Sequence, residues 1–102
     1  MHELKAVFKQ AISAFEANDF EGALRHFVWL HDNPNRNDLS SEMFRRANGF
    51  LAWGGLATKY PPARQKLQEL LAIKVAHLRD HPEDTFVKAD AGAMQQALNM
   101  FE

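Results

Sequence analysis

Residues 39–63 read LSSEMFRRANGFLAWGGLATKYPPA, and the fold is decided by how this stretch distributes itself around a helix. Met43, Phe44, Ala47, Leu51 and Gly54 recur three and four residues apart, which lines them up along one stripe of a helix with 3.6 residues per turn. Arg46, Phe50, Trp53 and Ala57 make a second stripe at the same spacings. Arg45, Gly49, Ala52 and Leu56 remain for a third side, too narrow and too apolar to be a solvated face. A helix at the surface of a globule needs one apolar stripe, and one with two belongs between neighbours. The stretch is therefore expected to be the central helix of a stack.

Working outward, the upstream chain carries two more helical periods. Leu4, Val7, Phe8, Ala11, Ile12 and Phe15 form one stripe over residues 3–17, and Phe20, Ala23, Leu24, Phe27 and Leu30 form another. Asn18 and Asp19 interrupt them, with Asp19 expected to cap the second helix. The segment HDNPNRND, residues 31–38, is rich in Asn, Asp and Pro and reads as a loop, after which Asp38 or Ser40 can cap the central helix. Downstream, Pro61 and Pro62 break the helix and start the next, which runs to about Arg79 with Leu67, Leu70, Leu71, Lys74, Val75 and Leu78 on its inward side. Glu83 or Asp84 opens a last helix carrying Phe86, Val87, Ala93, Met94, Ala97, Leu98 and Phe101. Gly92 in its middle is a weak point or a site of close packing. No stretch alternates as a half-buried strand would. The expectation is an all-α single domain over 1–102, built of stacked antiparallel helical hairpins with about five helices. The first hairpin covers about 3–31, the second about 40–79, and the last helix about 84–101.

Composition narrows the function classes. A chain of 102 residues with 46 % apolar and 25 % charged residues has the make-up of an ordinary globular domain. Its net charge of −1 provides no global field to recruit nucleic acid or an anionic membrane. With no cysteine there is no disulfide, thiolate nucleophile or thiolate metal site, which fits a cytoplasmic location. The opening MHELKAVFKQ lacks the apolar core of a signal peptide, and no run approaches the roughly 18 apolar residues that a membrane span requires.

The segment AISAFEANDFEGALRHFVWLHDNPN, residues 11–35, resembles the second half of a tetratricopeptide repeat, through Phe15, Asn18, Asp19, Phe20, Ala23, Leu24, Phe27 and the Asn-Pro-Asn loop. Val7, Gln10 and Ala11 stand where the repeat usually has Trp, Leu and Gly, and a second repeat can be traced through Phe44, Ala47 and Leu51. The combination of ALRHFVWLHDN at 23–33 with FLAWGGLATKYPPARQKL at 50–67 is similar to an uncharacterised group of bacterial tetratricopeptide-like proteins. The resemblance implies a right-handed superhelix of hairpins that binds protein segments on a concave surface lined by the first and third helices. The basic clamp by which some such proteins hold a peptide's terminal carboxylate would fall at Phe8 and Ile12, which cannot supply it.

Candidate sites are few. Arg45, Arg46 and Trp53, with Lys5 and Lys9 on the facing helix, are expected to contact a partner, because arginine and aromatic side chains join large apolar area to directional hydrogen bonding. Trp53 also reads as core. His77 and His81 lie four residues apart and flank Asp80, the spacing of a metal site, although a helix C-terminus attracts cationic side chains for its own reasons. His26 and His31 are five apart and do not share a helix face. Gly54 and Gly55 fall inside a helical pattern and read as a close helix crossing. No serine sits in a strand-turn-helix elbow, and no glycine-rich phosphate loop is present. The leading expectation is a non-catalytic domain that binds a protein segment or a second copy of itself, with no cofactor and without nucleic acid or membrane. The last apolar helix reaches Phe101 with no capping residue, so either the chain continues beyond Glu102 or that helix is expected to pack against something else, such as a second copy. The alternative is a small metal-dependent enzyme or metal-binding protein using the histidines. A third reading, nucleic-acid binding through Arg45, Arg46, Arg64 and Lys66, is opposed by the net charge.

Overall fold

The computed structural model describes residues 2–101. Met1 and Glu102, at the two ends of the expected domain, lie outside the described residues. The order is α1 (His2–Glu16), α2 (Phe20–Asp32), α3 (Leu39–Phe44), a π-helical segment (Arg45–Phe50), α4 (Leu51–Ala57), α5 (Pro61–Asp80) and α6 (Thr85–Met100). From α3 through α4 the chain is one uninterrupted rod, here termed the central helix, so that five helical rods make up the described chain and no strand is among them.

The connections are encoded locally. α1 ends in a Schellman turn, with Asn18 at φ 63° and the amides of Asn18 and Asp19 donating to Phe15 O and Ala14 O. Asp19 then accepts from the Gly22 amide at 2.9 Å and caps α2. Asp38 caps α3 through the amide and hydroxyl of Ser41, and Asp84 caps α6 through the Val87 amide. Tyr60 is extended, as the residue before a proline must be, and both prolines occupy the first turn of α5, where no amide hydrogen is needed.

α1 and α2 form an antiparallel hairpin. The central helix packs on α2, α5 and α6, and α5 and α6 form a second antiparallel pair. Residue numbers rise together across the contact of the central helix with α6: Arg45 and Arg46 meet Asp90, and Gly54 meets Ala97. Those two helices therefore run parallel. α1 meets the central helix through Phe8 packed edge-on to Phe44 and Lys5 over the same ring.

The core gathers at the second stripe of the central helix. Trp53 and Phe50 are fully buried, with Phe27 of α2 stacked on the indole at 6.3 Å and Leu30, Leu56, Leu67 and Met94 closing around them. The narrow side bearing Arg45, Gly49 and Leu56 is buried, as its apolar make-up requires, whereas the first stripe is corrected by the structure: Met43, Ala47 and Leu51, expected to face a neighbour, are exposed. Arg45 faces inward because acceptors wait there for all of its donors. Val75 and Phe101, placed inward by periodicity, are also exposed.

Candidate functional site

Two features of the central helix have chemistry beyond packing: a buried charge network on one side and an open apolar groove on another.

The network is built around Arg45, whose five N–H donors meet five acceptors. Nε donates to Leu30 O, Nη2 to His31 O and Asp90 Oδ2, and Nη1 to Glu42 Oε1 and Asp90 Oδ1, all between 2.7 and 2.9 Å. Leu30 and His31 belong to the last turn of α2, whose carbonyls have no partner within the helix, so Arg45 serves as their cap. Arg46 Nε donates to the same Asp90 oxygen at 2.8 Å, and Lys74 Nζ of α5 lies 3.4 Å from Asp90 Oδ2. Glu42 takes the Asn35 amide on its other oxygen. Two consecutive arginines reach one carboxylate because the helix is π-helical from Arg45 onward, and its wider turn reduces the angle between successive side chains. Burial opposes ionisation of Asp90, yet the hydrogen bonds and charge of Arg45, with Arg46 and Lys74, hold its carboxyl below the usual carboxylate range. The network is complete in itself and ties α2, α5, α6 and the loop before α3 to the central helix.

His31 stands at its edge. Its Nδ1 is 2.8 Å from Asp32 Oδ1, while Nε2 is buried without a partner. Burial lowers its pKa, the bond to Asp32 opposes that, and the charge of Lys74 adds to the lowering.

The groove lies between the parallel central helix and α6. Met43, Ala47 and Leu51 on one wall face Ala93, Ala97 and Met100 on the other across a hollow of about 460 Å³, and Arg46 supplies the only ionised group among the described residues that line it. Met43 and Met100 are 60 % and 61 % exposed. At the N-terminal ends of both helices Arg46 also lines a second hollow, with Arg36, Leu39, Glu42 and Phe86.

The five residues expected to bind a partner do not form one surface. Arg45 is 1 % exposed and Trp53 is fully buried, its indole Nε1–H donating to Ala63 O at 2.9 Å, so neither presents a contact surface and both are corrected to structural roles. Arg46 is partly exposed and reaches the groove, whereas Lys5 and Lys9 are exposed on α1, with Lys5 drawn over Phe44. Sequence reasoning missed the groove residues Leu51, Ala93 and Met100 as a site, together with Arg36, Phe86 and Asp90. The signal available for Asp90 was its position amid small apolar residues in ADAGAM, where a carboxylate in a packed helix demands a cation.

His77 and His81 stack their rings at 4.8 Å, and His77 Nε2 lies 2.8 Å from Asp84 Oδ2 rather than joining Asp80. Among the described residues no group of three or more His, Cys, Asp or Glu side chains is placed to hold a metal ion, and no helix is long and apolar enough to cross a membrane. No protein-family model matches the chain, and neither the curated proteins nor the solved structures contain a match to it.

Proposed function

We propose that this chain is a non-catalytic interaction domain, tetratricopeptide-like in its stacking, that binds a segment of another protein in the groove between the central helix and α6. The observation that carries this reading is the pair of methionines, Met43 and Met100, exposed on facing walls of a hollow of about 460 Å³. Methionine left exposed in a cleft is costly unless an apolar surface covers it, and its unbranched, polarizable side chain adapts to varied partners. An open apolar groove between two helices is the kind of surface into which an amphipathic helix lays its apolar face. The parallel run of the central helix and α6, with antiparallel α5 between them in sequence, supports superhelical stacking in which alternate helices line one face. A cytoplasmic setting accords with the absence of cysteine.

The test is affinity capture with wild-type protein beside a Met43→Asp/Met100→Asp variant, followed by calorimetry with each purified partner. Both positions are exposed, so the variant should keep its helical content and melting temperature. A partner held by the wild type and lost by the variant is the expected result. If sedimentation instead shows a dimer abolished by the same substitutions, the groove serves self-association, and binding unaffected by them would refute the reading.

A further inference from the structure

We infer that the segment received by the groove carries a carboxylate at one end of its apolar face, and that this carboxylate seats between Arg36 and Arg46. The inference rests on the groove reading above and specifies the partner's chemistry.

Arg46 is common to the apolar hollow and to a second one of about 470 Å³, walled also by Arg36, Leu39, Glu42, Thr85 and Phe86. Both arginines rest on one ring: the guanidinium carbons of Arg36 and Arg46 lie 4.0 and 4.9 Å from the Phe86 centroid. An aromatic face holds cations but does not neutralise them, so two guanidinium groups on one ring still repel each other.

The carboxylates at this end are already engaged. Glu42 is buried against Arg45 and the Asn35 amide, and Asp90 is buried and shared by Arg45, Arg46 and Lys74. Asp84, whose pKa is lowered in part by the charge of Arg36, spends its oxygens on the Val87 amide and His77. Of the charged residues that line this second hollow, Glu42 is buried, whereas Arg36 is exposed and Arg46 partly so. Arg45 is saturated and buried, so the positive charge that solvent meets there is presented by the other two. Arg46, which commits Nε to Asp90 and Nη2 to Phe86 O and lies 3.6 Å from Glu42 Oε1, lines both hollows.

An incoming carboxylate gains charge-assisted hydrogen bonds there and relieves the repulsion, whereas a lysine at the same place adds to it. The methionine-lined part accepts apolar side chains of several shapes, so the arginine pair is what sets register and excludes basic segments.

The probe is a displayed library of helical segments of about 16 residues, long enough to span the groove at 1.5 Å per residue. Enriched segments are then synthesised and measured by fluorescence anisotropy against wild type, Arg36→Glu, Arg46→Gln and Met43→Asp, each checked for helical content by circular dichroism. Arg36 is exposed over the Phe86 ring and is not among the partners of Asp90, so Arg36→Glu keeps the test valid even if Arg46→Gln loosens the Asp90 network. Enriched segments should carry Asp or Glu at one end of an apolar face and bind Arg36→Glu about tenfold or more weakly, a loss of about 1.4 kcal/mol. Their affinity should also fall with added salt. Segments without an acidic bias, or acidic ones that bind Arg36→Glu undiminished, would overturn the inference while loss of binding on Met43→Asp left the groove reading standing. If no enriched segment is sensitive to Met43→Asp, both fall.

Discussion

Arg45 shows how one residue can look like surface in sequence and be core in structure. Arginine's five donors are expensive to bury unless all are met, and here helix-end carbonyls and two carboxylates meet them. Asp90 is the irreplaceable partner, since it accepts from both arginines and balances Lys74. Replacing it with alanine leaves three cations facing each other with only Glu42 to offset them, and removal of one side of such a network costs about 3–5 kcal/mol. Asp90→Ala is therefore expected to consume much of the roughly 5–15 kcal/mol that holds a domain of this size together. Urea denaturation followed by tryptophan fluorescence measures it, and a loss below about 1 kcal/mol would show that the network contributes no more than a surface ion pair. Little of this was legible from the spacing of Arg45 and Arg46, because of the acceptors only Glu42 is near in sequence and the others lie in α2 and α6.

For the helices as elements, local signals were readable. The Asp19, Asp38 and Asp84 caps, the Pro61-Pro62 break and the Asn18 turn are decided by residues within a turn of where they act. Glycines were less so, because the sequence cannot say what faces the missing Cβ. At Gly54 a Cβ would stand 2.7 Å from the backbone oxygen of Ala97, so the central helix and α6 approach closely there. At Gly92 nothing lies within 4 Å, which rules out close packing and leaves the entropic weakness. Alanine substitution should act with opposite signs: Gly54→Ala destabilising by about 1–3 kcal/mol through overpacking against backbone, and Gly92→Ala stabilising by about 0.5–1 kcal/mol through helix propensity. Thermal melts of the two variants decide it, and equal shifts would mean the crossing is looser than its geometry.

For the whole molecule, acid is the condition that should undo the fold, in two stages. His31 has a folded pKa below its ordinary 6.5, so the unfolded chain binds its proton first. That contribution is complete above pH 6.5 and is lost as pH falls toward the depressed folded value. Asp38, lowered by its bonds to Ser41, and Asp84, lowered by the Val87 amide and His77, behave alike further down, as does Asp90, where burial opposes and Arg45 prevails. Their stabilisation is present above the unfolded value of 3.8 and is lost as pH falls through their lower folded values. The urea midpoint should decline from pH 7.5 to 5.5 and fall further below pH 4. His31→Gln should flatten the first decline and leave the second. A midpoint independent of pH between 7.5 and 5.5 would show that His31 titrates as a free histidine.

By itself the amino-acid sequence determined the helical class, the number and approximate ends of the helices, their caps, and the centrality of residues 39–57, because periodicity, capping and proline placement are effects of near neighbours. Only the tertiary structure decided which side of the central helix is core and which lines a groove. Arg45 turned inward, and Met43, Ala47 and Leu51 were left open, because the acceptors on α2 and α6 and the resting places of the other helices are long-range facts. An apolar stripe announces that something will cover it, and whether the chain does so itself depends on where every other helix comes to rest.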